Sequence, residues 1–272
     1  MASPRGNARD WRRTRSLSQG VSWRGRFPAR PAFMSETGFH NIGPVREILL
    51  ISLSCIGDVL LTTPVMRVLK DNFPGARLTV LAGRTSHELV AAHELVDRAL
   101  VFDNKDEHKG TAGKARLVRM LRRDRYDLVV DLRNSAIPYF LRTRWRITSH
   151  RAHLRNRDAR GRHAIDRHLD VLALHGFPIT TRRMSITVPD AVDRRVRELM
   201  SGSALEGGPV FGVYPGAGSP YKQYPAPQFA EAVRLIAVQH PDARFALVGG
   251  PGDAEAAAEV ARAVPGRCAD FS

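Results

Sequence analysis

Three loops in this 272-residue sequence carry residue types that could do chemistry, each where an apolar run gives way to a helical pattern. The first is Ser54-Cys55-Ile56-Gly57-Asp58, which puts a carboxylate directly after the run EILLISLS at 47–54. An ionised aspartate there can take a proton from a substrate hydroxyl, the work of a general base. An aspartate also serves well as a helix N-cap, accepting a backbone N–H, so position alone leaves both roles open for Asp58. Gly57 allows an unusual backbone angle or the close approach of a ligand, and it equally suits a plain turn. Cys55 has no basic neighbour in sequence to lower its thiol pKa, so it is expected to pack rather than react.

The second loop runs from Tyr214 to Pro225 and reads YPGAGSPYKQYP. Free backbone N–H groups at Gly216, Ala217 and Gly218, the Ser219 hydroxyl and the Lys222 ammonium near a helix start suit a diphosphate. The GK[ST] ending of a P-loop and the GxGxxG dinucleotide fingerprint are both missing, and an ordinary exposed loop is the alternative reading. The third, LVGGPGD at 247–253, places Gly250 in a turn and could bring Asp253 or Glu255 to a ribose, although many strand-turn-helix joints look the same. The histidines at 150, 153, 163, 168 and 175 fit neither HExxH nor a zinc-finger spacing, so they are expected on the surface or in the core. No metal or cofactor is expected, and the serine elbow GxSxG is absent.

These loops need rigid elements behind them. The run at 47–54 has the continuous apolar character of a strand buried on both faces of a parallel sheet. Pro64 then either opens a helix after Thr63 or kinks one begun near Gly57, with Val65, Val68 and Leu69 on one face and Phe73-Pro74-Gly75 as the stop. Strands are expected at 77–83, 99–102, 126–133 and 144–148, with helices at 86–93, 111–123 and 164–175 between and after them. Such alternation predicts a parallel sheet with helices on both faces, because parallel neighbours need crossovers. Residues 179–189 read as a linker, and Asp190 as the cap of a charged helix running to Met200. The cycle restarts with strands at 209–214 and 244–248 and helices at 228–239 and from 253 to 264, after which the second unit looks cut short. The expected division is a disordered basic leader at 1–43, a Rossmann-like unit at 44–180 and a partial second Rossmann-like unit at 181–272.

Composition bounds the function. No apolar run approaches the roughly 20 residues that span a bilayer, and the arginine-bearing start lacks the apolar core of a secretory signal. Two cysteines, Cys55 and Cys268, are too few for a disulfide framework and fit a reducing, cytoplasmic compartment. The formal charge is +15, yet residues 1–33 hold eight arginines against Asp10 alone, so nearly half of the excess lies in a Pro-, Gly- and Ser-rich leader. Met34 is an alternative start. The rest of the charge suits an anionic small molecule, glycolipid or membrane surface, or reflects an arginine-rich composition; nucleic acid is not the expected partner.

Together these segments resemble glycosyltransferase family 9, the ADP-heptose:lipopolysaccharide heptosyltransferases. The likeness runs from about Val45 to the end: ILLISLSCIGDVLLTTPVMRVLKDNFPGARLTVL resembles the family's opening, and YDLVVDLRNS its fourth-strand segment. HAIDRHLDVLALHG is similar to its helix before the domain junction, and VYPGAGSPYKQYPAPQFAEAV to its phosphate loop. Tyr224 stands where a tryptophan is more usual, and a later segment of the form D-S-G-x-x-H-L-A-A-A has no counterpart. The resemblance implies an α/β fold of GT-B type, with two Rossmann-like domains and donor and acceptor between them, and inverting, metal-independent transfer of a heptose. The donor would be ADP-heptose and the acceptor a glycolipid, lipopolysaccharide core or lipid A precursor, at the cytoplasmic face of the inner membrane with peripheral contact there. Asp58 would be the base, while Gly57, Gly216, Ala217, Gly218, Ser219, Lys222, Gly250 and Asp253 would surround the donor and its phosphates. Transfer of another nucleotide sugar, or an inactive partial product, are the alternatives.

Overall fold

A computed structural model describes residues 42–53, 55–149 and 162–272, so residues 1–41 of the expected leader at 1–43, Ser54, His150 and His153 lie outside the described residues. The first sheet contains β1 (Glu47–Ser52), β2 (Arg77–Gly83), β3 (Arg98–Phe102), β4 (Tyr126–Asp131) and β5 (Thr143–Thr148). All pairings are parallel and the order is β3-β2-β1-β4-β5, with Ile48 level with Leu78 on one side and Leu128 on the other. The order doubles back after β3, so β1 and β4 meet at the point where ligands of doubly wound sheets gather beyond the strand ends.

Alternation along β1 builds two cores. Ile48 and Leu50 point to a layer that includes Val65, Met66 and Leu69 of α2 (Thr63–Asn72), together with Leu169 and Leu172 of α6 (Ala164–Ala173). Leu49 and Ile51 point the other way, toward Leu117 and Leu121 of α4 (Gly110–Leu121). Period-two side-chain direction thus turns one apolar run into two buried faces, each covered by helices. Two short helices, α1 (Ile56–Leu60) and α3 (His87–Ala91), follow β1 and β2, and α5 (Ile137–Phe140) follows β4. The α5 turn has no amphipathic repeat long enough to announce itself, and the sequence reading missed it. Pro64 sits in the first turn of α2, where its missing N–H costs nothing, so the chain forms two helices rather than one kinked helix.

Ile42, the first described residue, already lies against the first core, slightly before the expected boundary. At the other end, residues 178–187 run along this same body. Asn72 Nδ2 donates to the Pro178 carbonyl (3.1 Å), Ser185 N–H to Thr63 Oγ1 (3.1 Å) and Glu94 N–H to Thr187 Oγ1 (3.0 Å). His93, buried beside this strap, accepts the Leu95 N–H at Nδ1 and meets Ser185 Oγ at Nε2 (3.0 Å); burial lowers its pKa, favouring the neutral ring.

The second sheet holds β6 (Val210–Val213), β7 (Arg244–Val248) and β8 (Cys268–Phe271), parallel and in the order β6-β7-β8. The β8 strand, CADF, is short and only partly apolar, which is why two strands rather than three were expected. Its core packs Val213, Phe245 and Leu247 against Val233 of α8 (Ala226–Gln239) and Val260 of α9 (Ala254–Arg262). The α7 helix (Asp190–Met200) is exposed along its whole length. Asp190 is its first helical residue rather than its cap; Pro189 holds the cap position, and no side chain caps the helix.

Candidate functional site

The rim beyond the first sheet is built from the ends of β1 and β4. Asp58 falls in the first turn of α1, whose cap position belongs to Cys55; no side chain makes a capping bond there, so the N-cap reading of Asp58 is overturned. Gly57 has no left-handed backbone, and a Cβ on it would meet nothing within 4 Å, so neither strain nor close approach requires a glycine. Cys55, at the cap position of α1, is exposed rather than packed, contrary to expectation. Below the rim, Thr62 Oγ1 donates to the Val59 carbonyl (2.7 Å) and shares a bond with the buried Ser52 Oγ (3.2 Å), fixing α1 and the start of α2 to the end of β1.

Asp58 Oδ2 stands 3.8 Å from Arg133 Nη1, and both side chains are about half exposed, at 48% and 42%. An ion pair this open contributes on the order of 0–1 kcal/mol, too little to explain it as a structural brace. Arg133 was not among the residues singled out from sequence; the available signal was a guanidinium two residues past a buried strand, on the edge where cleft residues collect.

The loop that carries Arg133 is held from beneath. Asp131, fully buried at the end of β4, accepts the N–H of Arg133 (2.8 Å), the N–H of Ser135 (2.7 Å) and the Ser135 hydroxyl (2.9 Å). Burial raises its pKa, and these donors, with the nearby Arg133 charge, only partly offset that effect. Asn134 takes a left-handed backbone (φ 54°), and its Oδ1 accepts from Ser149 Oγ at 2.7 Å, which ties the loop to the end of β5. Farther along the rim, Arg84 after β2 donates to Asp103 after β3 and, with that bond as the main cause, holds the carboxyl below the usual range.

The rim beyond the second sheet gathers the other expected residues. After β6 the chain passes Gly216, Ala217, Gly218 and Ser219 into a single 3-10 turn, Pro220–Lys222, closed by the Lys222 N–H to the Ser219 carbonyl (2.9 Å). Lys222 is exposed, and among the described residues its ammonium makes no hydrogen bond or ion pair, so it is open to an anion. After β7, Gly250 N–H donates to Asp253 Oδ2 (2.9 Å). That carboxylate lies against Gly216, where a Cβ would come within 2.3 Å of Oδ1. Asp253, proposed from sequence to reach a ribose, is thus committed to joining the two loops. Gly216 is required there by the close carboxylate, whereas Gly218 has open space around it.

Among the described residues no group of three His, Cys, Asp or Glu side chains could hold a metal ion. His163 caps α6 by accepting the Ile165 N–H, and His175 Nδ1 bonds the Val171 carbonyl (2.8 Å), both local structural uses. Cys268 sits in β8, where burial pushes its thiol up to about 11, away from reactivity.

Two parallel sheets with polar side chains and glycine loops collected at their C-terminal strand ends define an α/β protein of doubly wound type, a class in which ligands bind beyond those ends. The model of glycosyltransferase family 9 (heptosyltransferase) matches residues 114–271, more than half of the sequence, and the chain belongs to that family. The match takes in β4 with Arg133 and the whole second sheet, while Asp58 lies before it. Lipopolysaccharide heptosyltransferase 3 of Escherichia coli is 26% identical over 157 residues, 52% of this chain and 46% of that protein, so the chain spans about half the length of this curated relative. Among solved structures, a family 9 glycosyltransferase from Veillonella parvula superposes with a TM-score of 0.69 at 21% identity, covering 83% of this chain and 69% of the other. An E. coli heptosyltransferase with ADP-2-deoxy-2-fluoro heptose gives 0.62 at 18%, covering 83% and 76%. At these identities the superpositions establish the shared fold.

Proposed function

We propose that this chain supplies the acceptor side, and part of the donor side, of a GT-B enzyme that moves a heptose from ADP-heptose to the inner core of lipopolysaccharide at the cytoplasmic face of the inner membrane. The observation that carries the reading is Asp58, a half-exposed carboxylate in the first turn of α1 after β1, 3.8 Å from the Arg133 guanidinium. It takes the proton of an acceptor hydroxyl while that oxygen forms the new bond to the anomeric carbon. The bond from that carbon to the diphosphate breaks with inversion, and ADP leaves with the electron pair. The transition state has oxocarbenium character, and Lys222, Ser219 and the N–H groups of 216–218 stabilise the charge gathering on the diphosphate without a metal. The name of the curated relative and the ADP-heptose analogue in the solved neighbour support this donor and acceptor class.

Heptosyl transfer and ADP binding, measured side by side for Asp58→Asn, test the assignment. Loss of a general base should lower turnover by roughly 10²–10⁴ while ADP affinity stays within about twofold. Undiminished turnover would return Asp58 to a structural role, and a panel of nucleotide sugars would show whether heptose is the sugar carried.

A further inference from the structure

The strap at 178–187 belongs to the stretch of backbone that leads from the first sheet to α7 and the second sheet, and it is fastened at the point where α1 ends. Burial alternates along it: Ser185 and Thr187 are half-buried and bonded to the body, while Met184, Ile186 and Val188 are exposed. Ser185 is gripped twice. Because His93 Nδ1 accepts the Leu95 N–H, its Nε2 carries the ring proton and donates to Ser185 Oγ, while the Ser185 N–H donates to Thr63 Oγ1. The buried Thr63 hydroxyl in turn donates to the Leu60 carbonyl at 2.8 Å. That carbonyl depends on a side-chain donor, since the residue four positions on is Pro64, which has no N–H to offer the helical ladder. The neighbouring Thr62 makes the same kind of bond one residue earlier, to Val59, but its other contact is Ser52 of β1. The two threonines therefore fasten the end of α1 to different things, Thr62 to the sheet and Thr63 to the strap.

We infer that Thr63 is a positioning residue for Asp58, the coupling through which the strap, and the unit it leads to, set the place of α1. The helix α1 has only five residues, so Asp58 and Leu60 share one turn and move together. The run from Ser185 N–H through the Thr63 hydroxyl to the Leu60 carbonyl has a single direction, because the one hydroxyl proton is engaged by Leu60 and a lone pair by Ser185. A capping role does not account for this arrangement: the cap position of α2 belongs to Thr62, and no side chain makes a capping bond there. Hydrogen bonds weaken steeply once donor and acceptor part, so a strap that shifts by about 1 Å either drags the end of α1 with it or loses its hold. The use of that coupling, adjusting the base to the state of the second unit, rests on the proposed transfer reaction; the link from strap to α1 rests on the hydrogen bonds alone.

Amide hydrogen exchange on the full chain reads the link without turnover. The reporters are the Val59 and Leu61 N–H groups, which bond to the Cys55 and Gly57 carbonyls. Thr63→Val and Ser185→Pro remove the acceptor and the donor of the strap bond, and each should speed exchange there roughly tenfold while β2 and β4 stay unchanged. Thr63→Ser keeps the hydroxyl and should match wild type. Heptosyl transfer supplies the functional arm: Thr63→Val should lower kcat roughly tenfold through a misplaced base, with ADP affinity held within about twofold. In an Asp58→Asn background the same substitution should produce no further loss, since the two residues act through one group. Exchange in α1 that is untouched by Ser185→Pro would overturn the inference whatever becomes of the base assignment. An equal loss of turnover from Thr63→Val with and without the Asp58 carboxylate would also overturn it, as the mark of a merely structural residue. Full turnover by Asp58→Asn would strike the base assignment and, with it, the part of Thr63 in catalysis.

Discussion

The first strands of the two sheets, β1 and β6, begin with comparable apolar sequence and end in very different surroundings. In β1, Ile48 through Ser52 have no exposed surface, because β2 and β4 flank the strand and helices cover both faces. In β6, Val210 remains 42% exposed and only Val213 is buried, because β7 is the one strand paired with it among the described residues. Burial is conferred by neighbours, and residue type only makes it favourable. The same contrast extends to the rims: the β4 loop is pinned by a buried carboxylate, whereas the β6 loop is tied by the half-exposed Asp253.

Substitution in the two strands is the strongest way to break this comparison. Leu50→Ala should destabilise the fold by about 2–5 kcal/mol through lost transfer energy and a residual cavity. Val210→Ala should stay within about 0.5 kcal/mol, as exposed positions usually do. Denaturant midpoints decide it, and equal losses would mean that β6 is covered in solution. The glycines after β6 sharpen the contrast at smaller scale. Gly216→Ala should cost about 1–3 kcal/mol, because the new methyl displaces the Asp253 carboxylate and its bond to Gly250. Gly218→Ala, with open space around it, should change stability by less than about 0.5 kcal/mol. The same thermal or chemical unfolding series checks both, and parity between the two variants would deny the loop tie.

The smallest expected effect is a pH dependence belonging to the first sheet. Burial holds the Asp131 pKa above its ordinary 3.8, so the folded state binds that proton more tightly than the unfolded chain. Its contribution is present below 3.8 and is lost as pH rises from there through the folded value. Asp103 acts with the opposite sign: its pKa is lowered, so its contribution holds above 3.8 and fades as pH falls through the folded value. Asp131→Asn keeps an oxygen acceptor and removes one titration, and should flatten the decline in unfolding midpoint as pH rises above the ordinary 3.8. An identical slope in the variant would assign that decline to other groups.

Much of the framework was legible because it is written in local pattern. The buried runs of β1, β2, β4 and β7 show as unbroken apolar stretches, and Pro64 and Gly176 punctuate the helices near them. The α5 turn and β8 were not legible, since four residues carry too little periodicity to separate a turn or edge strand from a loop. The rim divided in the same way. Asp58 and the 216–222 loop stood out by residue type after a strand, but Arg133 did not, because its partner lies 75 residues earlier in the chain.

The sequence by itself determined the parallel α/β class, the alternation of elements and the placing of Asp58, Gly216, Ser219 and Lys222 just past strand ends. Each of these depends on side-chain polarity and spacing within a few neighbouring residues. Only the tertiary structure decided that Asp58 faces Arg133, that Asp253 is spent on Gly250 and Gly216, and that Asp131 is sealed beneath its loop. Such contacts depend on which strands become neighbours, and strand order is a property of the whole sheet that no single stretch of chain encodes.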